Sequence, residues 1–386
     1  MLTTLAVENY RSLRHLVLPL HRLNVVIGAN GSGKSNLYRA LRLLADSARN
    51  GAVAALAREG GLPSTLWAGP EHLGRAVREG RHPVQGTRRK GPVSLRLGFS
   101  GDEYGYAMDL GLPTPSSSAF ALDPEIKHEA VWGGPLLRSS TLLADRSNAV
   151  ARVRDADGAW QPMPYALGPF DSMLSELADP YRAPDLLTLR ELIRSWRFYD
   201  HVRADAHAPA RTVQVGTRTP VLGHDGADLA AALQTIREIG DRDALDKAID
   251  HAFPGSRIEV RAQNGWFELA FHQHGLLRPL TGAELSDGTL RYLLWTAALL
   301  TPRPPALLVL NEPETSLHPD LLAPLADLVV TASAHAQVLV VTHAAALMAA
   351  LRDAGANAIE LTKEFGQTRI VGQEPLDEPA WHWPKR

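Results

Sequence analysis

The apolar positions of this chain change period several times, and each change marks an element. "LTTLAVENYRSLRHLVLPL" alternates apolar and polar residues and predicts two short strands around a polar turn at Glu8-Asn9. "LNVVIGANGSGKSNLYRALRLLADSA" then passes from β-branched residues through a glycine loop into helical spacing at Leu37, Ala40, Leu41 and Leu44. Alternation returns in "VSLRLGFSGDEYGYAMDLGL", a predicted hairpin around Ser100-Gly101-Asp102, and in "SRIEVRAQNGWFELAFHQ", a second around Gln263-Asn264-Gly265. A helix is expected after "LSDGT", then a buried strand over 306–310, a helix over 319–333, a strand over 337–342 and a helix over 344–353. "NAIELTKEFGQTRIV" predicts a closing hairpin.

The intervening stretches carry weaker patterns. Residues 60–92, rich in Gly, Pro and Arg, read as loop, and "PTPSSS" reads as a linker or surface excursion. The chain up to about Trp160 reads as irregular with strand-like pieces such as "NAVARVRDADGAW". "DLLTLRELIRSWRFYDHV", "GADLAAALQTIREIG" and "DALDKAIDHAF" read as helices. The expected organisation is a first lobe over 1–115, an inserted irregular-to-helical region over 116–205 and a second lobe over 206–386, in an α/β fold.

Composition narrows the function classes. With 386 residues and 45% apolar content the chain can bury a large core. It has no cysteine, which excludes disulfides, thiolate zinc sites and iron–sulfur clusters. A net charge of -2 disfavours a wholly basic nucleic-acid binder but leaves room for a local patch. Arg75, Arg78, Arg81, Arg88, Arg89 and Lys90 stand against Glu71 and Glu79 and form one candidate for DNA phosphates, or simply a solvated loop. Arg190, Arg194 and Arg197 fall on one predicted helical face. The N-terminus has no long apolar segment, and Leu290–Leu300 is too short to span a bilayer, so a cytoplasmic protein without membrane contact is expected.

Gly28 to Ser35 fits G-x-x-x-x-G-K-[ST] between a β-branched strand and a helix, the context that phosphate loops require. Asn30, Gly31, Ser32, Gly33, Lys34, Ser35 and Asn36 are therefore the candidate phosphate-binding run. Glycines let backbone N–H groups turn inward, and the helix N-terminus adds partial positive charge. Lys34 would reach the β- and γ-phosphates of ATP, and the Ser35 hydroxyl would ligate Mg2+. Ser286 and Asp287 precede an apolar helix and suit an N-cap. They serve as a cap alone or, with Gly288, as part of a second anion site. Glu312 ends a buried apolar strand, where a carboxylate can polarise an attacking water. Asn311 stands where an Asp commonly holds Mg2+ through water. Its amide can accept a hydrogen bond from a metal-bound water but supplies no charge.

The motifs "ENYRSL", "GANGSGKSN", "ELSDGTLRYLL", "LLVLNEPETSLHPDLL" and "VLVVTHAAALM" follow one another in an order that resembles ABC-type ATPases of the RecF and SMC kind. More narrowly, the chain is similar to bacterial AAA-family SMC-like ATPases. That resemblance implies a P-loop NTPase of ABC-head type, with Ser286 and Gly288 on the γ-phosphate held by a partner subunit. It also implies that Ser316, Leu317 and His318 face the dimer, that His343 senses the γ-phosphate, and that Arg11 lies near the nucleotide. Asp287 and Thr289 depart from the transporter form, where Gly and Gln are usual. The implied function is a Mg-dependent ATPase that forms a homodimer around ATP and acts on DNA or on a separate effector protein. The alternative is a nucleotide-gated binding module with negligible turnover that recruits such an effector.

Overall fold

The computed structural model describes residues 1–49, 51–70, 92–115, 117–155, 157–200, 202–374 and 376–385. The basic candidates from Arg75 to Lys90 lie outside the described residues. Among the described residues no helix is long and apolar enough to cross a membrane.

Strands β1 (Leu2–Tyr10) and β2 (Leu13–Pro19) pair antiparallel, with Val7 opposite Leu16 and Tyr10 opposite Leu13. The turn therefore falls at Arg11-Ser12, three residues beyond the expected Glu8-Asn9. Glu8 and Asn9 remain in the strand because their polar groups find partners there: Arg96 Nη1 donates to Glu8 at 3.3 Å, and Asn9 Nδ2 donates to the Ser94 carbonyl at 3.0 Å. Asn9 and Arg11 adopt left-handed φ values of 63° and 49°. β3 (Leu23–Gly28) leads through the glycine loop into α1 (Lys34–Ser47). α2 (Ala52–Arg58) and α3 (Gly61–Thr65) follow, so part of the stretch read as loop is helical, with Leu62 and Thr65 buried.

The expected irregular insert contains more strand than its pattern suggests. β4 (Leu95–Gly101), β5 (Tyr104–Gly111), β6 (Glu125–Gly133), β7 (Leu142–Ser147), β8 (Val150–Arg154) and β9 (Trp160–Pro162) extend one antiparallel sheet in the order β2-β1-β4-β5-β6-β7-β8-β9. Its inner positions carry charge. Arg146 and Glu129 are both fully buried and pair at 2.9 Å. Glu129 also accepts hydrogen bonds from the Tyr106 hydroxyl (2.6 Å), the Ser172 hydroxyl (2.5 Å) and the Met173 N–H (2.9 Å). α4 (Met173–Glu176) and α5 (Pro184–Ser195) come next, then β10 (Arg197–Tyr199). The helix thus stops before Arg197, which shares no helical face with Arg190 and Arg194.

The remainder supplies β11 (Gln214–Val215), α6 (Leu229–Ile239), α7 (Arg242–Ala252), β12 (Arg257–Gln263), β13 (Trp266–His272) and β14 (Leu280–Thr281). Then come α8 (Asp287–Leu299), β15 (Leu307–Asn311), α9 (Leu322–Ser333), β16 (Gln337–Val341), α10 (Ala345–Asp353), β17 (Asn357–Glu364) and β18 (Gln367–Ile370).

The chain forms two compact units. The first comprises residues 1–20, 28–194 and 360–386 and holds the antiparallel sheet. The second comprises residues 21–27 and 195–359. The expected insert is thus divided, 116–194 in the first unit and 195–205 in the second. In the second unit β10, β15, β16 and β3 run parallel in that order, with Leu308 opposite Val338 and Val340 opposite Val25. Helices cover this sheet, so its strands are continuous apolar runs rather than alternating ones. Leu290, Leu293 and Leu294 of α8 are fully buried in the same core.

Candidate nucleotide site

Residues 28–36 belong to the first unit, and Ser286 to His343 belong to the second. Each set has its own internal geometry.

In the first unit the glycine loop is drawn tightly around backbone. Gly28 has φ +144°, and a Cβ there would lie 2.2 Å from the Leu361 carbonyl oxygen. Gly33 has φ +114°, and its Cβ would meet Thr368 Oγ1 at 2.0 Å. A side chain at either position collides with the closing hairpin. Gly33 is also the N-cap of α1 and offers no side-chain cap, so the first N–H groups of the helix are left for a ligand. Lys34 is buried, and its Nζ donates to the carbonyls of Gly28 (2.5 Å) and Ala29 (3.0 Å). The Ser32 hydroxyl is buried and has no hydrogen-bond partner. An uncapped helix, an inward ammonium and an orphaned hydroxyl together fit a phosphate. Asn30, Gly31 and Ser35 are exposed, so the Ser35 hydroxyl is accessible to a hydrated ion.

A hydroxyl network braces this loop. Ser12 Oγ and Thr368 Oγ1 lie 2.7 Å apart, Thr368 Oγ1 is 2.7 Å from the Ser32 carbonyl, and Asn36 Nδ2 donates to Ser12 Oγ at 2.8 Å. The β1–β2 turn and the last hairpin therefore meet on the phosphate loop. Arg11 does not join this network. Its guanidinium donates to Glu59 at 2.9 and 3.2 Å, beside the Tyr10 hydroxyl on the same carboxylate at 2.6 Å.

In the second unit, Asn311 closes β15 opposite Val341 of β16. The Glu312 N–H donates to the Val341 carbonyl at 2.8 Å, and Glu312 takes a left-handed φ of 49°. This bend turns the Glu312 carboxylate out of the sheet edge, half exposed, with Oε1 3.4 Å from His343 Nε2. Two residues on, Glu314 Oε1 accepts from the N–H groups of His343 (2.7 Å) and Ala344 (3.2 Å). Its other carboxylate oxygen is buried without a partner. α10 starts at Ala345 with no capping side chain of its own. The Trp295 indole N–H, from α8, donates to the Pro313 carbonyl at 2.9 Å and fixes the same loop.

Ser286 is the N-cap of α8; its Oγ accepts from the Thr289 N–H at 3.1 Å and lies 2.8 Å from Thr289 Oγ1. A Cβ on Gly288 would lie 2.9 Å from the Ser316 carbonyl oxygen, which explains the glycine. Ser286, Gly288, Ser316, Leu317 and His318 line an open cavity of about 620 Å³. Asp287 turns to Arg211, which donates to it at 2.6 Å. Glu284 is held at about 2, below the usual carboxylate range, by hydrogen bonds from Arg278 and then from the Thr281 N–H. Among the described residues no group of three or more His, Cys, Asp or Glu side chains could hold a metal. A Mg2+ site made of one hydroxyl, waters and phosphate oxygens needs no such group.

A protein-family model described as "AAA domain, putative AbiEii toxin, Type IV TA system" matches residues 23–349. No curated protein matches the chain. Among solved structures, an Smc head bound to the C-winged helix domain of ScpA is 14% identical, with 96% of this chain and 97% of that chain covered and a TM-score of 0.51. The SMC head domain from Thermotoga maritima is 16% identical over 97% of this chain and 99% of that chain, with a TM-score of 0.44. The first of these shows a shared fold.

Proposed function

The chain belongs to the AAA-domain family matched over residues 23–349, with the P-loop fold of an SMC-like, ABC-type ATPase head, and from that premise we propose that it binds Mg-ATP, pairs with a second copy of itself around the nucleotide, and separates on hydrolysis. The observation that carries this reading is the Glu312–His343 pair at 3.4 Å, beside a backbone bend that leaves both side chains accessible.

The roles follow from the local geometry. Phosphate oxygens take the N–H groups at the start of α1, where no side chain competes. Lys34 exchanges its two carbonyl partners for phosphate oxygens, and that exchange makes its ammonium contact ligand-dependent. Ser35 would supply a hydroxyl to Mg2+, and Asn311 would accept a hydrogen bond from the ion's hydration shell. The bound ion would neutralise charge on the β- and γ-phosphates. Glu312 orients and deprotonates the attacking water, and His343 hydrogen-bonds the γ-phosphate. Ser286 and Gly288 present the N-terminus of α8 to the nucleotide held by the other copy. The switch acts on DNA or on a second protein. The Smc head named above is bound to such a partner, the C-winged helix domain of ScpA.

Phosphate release by the purified protein, with and without duplex DNA, tests turnover. Light scattering of Glu312→Gln in saturating Mg-ATP tests the dimer. A chain that stays monomeric there, or a wild type that releases no phosphate, argues for the binding-module alternative.

A further inference from the structure

The carboxylate of Asp287 poses an electrostatic problem. It sits in the first turn of α8, where acids suit the helix dipole. Yet that same N-terminus, on the function proposed above, must receive a triphosphate. An uncompensated carboxylate there would repel it.

Arg211 answers this. Its side chain is only 7% exposed, although Asp287 is 57% exposed. Nη2 donates to Asp287 Oδ1 at 2.6 Å and to the Ala204 carbonyl at 2.7 Å. Nη1 donates to the Leu285 carbonyl at 2.6 Å and reaches those of Gly282 (3.2 Å) and Ala283 (3.4 Å). Nε donates to the Asp205 carbonyl at 2.8 Å. All three guanidinium nitrogens are thus committed to the loop that precedes α8 and to the segment leading into Arg211. Gly282 lies so close that a Cβ would stand 3.1 Å from the Arg211 carbonyl oxygen. The neighbouring acid is compensated in the same way, Glu284 by Arg278 at 2.6 Å. Both acids of "AELSDG" therefore carry arginine partners.

We propose that Arg211 is a positioning residue for ATP-driven pairing: it fixes the loop 282–287 and neutralises Asp287, so that the N-terminus of α8 can accept a phosphate from the other copy. Asp287 is then a counter-ion and not a ligand of the nucleotide. The planar fork matters as well as the charge, because one group spans a carboxylate and several carbonyls that a point-charge ammonium cannot span together.

The test is made in the Glu312→Gln background, by light scattering in Mg-ATP. Arg211→Gln should weaken dimer formation at least tenfold while ATP affinity of the single chain, read by calorimetry, follows the parent. Adding Asp287→Asn should restore most of the loss, because the bare carboxylate is gone. The Arg211→Gln defect should also shrink as salt is raised, since screening weakens repulsion. A purely structural role predicts neither rescue nor salt relief, and the absence of both overturns the neutralising role. If Arg211→Gln does not fold, Arg211→Lys carries the same rescue and salt comparison, with a smaller starting defect. A parent that forms no dimer overturns this inference together with the proposed function. A dimeric parent without rescue overturns this inference alone.

Discussion

Glu314 Oε1 accepts the backbone N–H of His343 at 2.7 Å and so ties the loop after β15 to the loop after β16. It holds the two N–H groups that precede α10, and it fixes the height of the His343 imidazole beside Glu312. Glu314→Ala should cost about 1 kcal/mol of stability, the usual net worth of a hydrogen bond. Turnover should fall by more than ATP affinity does, because the phosphate loop is untouched. Thermal unfolding and steady-state phosphate release measure the two effects. Equal losses in both kinetic parameters would remove the positioning role.

Lys34→Ala should abolish tight ATP binding, because a charge-assisted bond to phosphate is lost. Calorimetry reads this directly. Unchanged affinity would take the phosphate-loop assignment away.

Thr368→Val should loosen the phosphate loop. The change keeps shape but leaves the Ser32 carbonyl without its Thr368 donor and the Ser12 hydroxyl with Asn36 alone. A lost buried hydrogen bond is worth about 1 kcal/mol, so ATP affinity should drop roughly fivefold. Gly33→Ala should be worse, since the φ of +114° is strained for alanine and the new methyl meets Thr368. Fluorescent nucleotide titration ranks the two.

Asn311→Asp should lower the Mg2+ concentration needed at fixed ATP, because a full charge attracts a hydrated ion more than an amide dipole does. Ser35→Ala should raise it. If only Ser35→Ala moves the titration, Asn311 holds the loop and not the metal shell.

Glu129→Gln should destabilise the first unit by about 3–5 kcal/mol, because Arg146 would stay buried and charged without its partner. Urea unfolding reads the loss. A change below about 1 kcal/mol would mean that water reaches the pair.

The phosphate loop, the parallel strands and the three hairpins were legible because their signals are local: glycine spacing, apolar runs and turn residues. The strands over 125–162 were not, and the reason is visible in β6, where His128 and Glu129 are both buried. His128 pairs with Asp145 at 3.0 Å and Glu129 with Arg146 at 2.9 Å, so polar side chains occupy positions that a periodicity argument assigns to solvent. The turn at Arg11-Ser12 was displaced for a related reason, because Glu8 and Asn9 look like turn residues until Arg96 and Ser94 are placed beside them. Arg211 and Thr368 escaped notice because their partners lie 76 and 356 positions away. Glu312, His343 and Lys34 were legible as types. Their neighbours Glu314 and Ser12 needed coordinates.

The Ser12–Thr368 brace also sets a timetable for biosynthesis. The phosphate loop emerges early, but the hydroxyl that secures it is encoded 336 residues after Ser32. At roughly 5–20 residues per second, a nascent chain spends roughly 20–70 s with that loop unsecured. During that interval a half-made copy lacks the brace on the loop proposed to hold nucleotide. Completion of residues 357–370 thus acts as a licence for that loop.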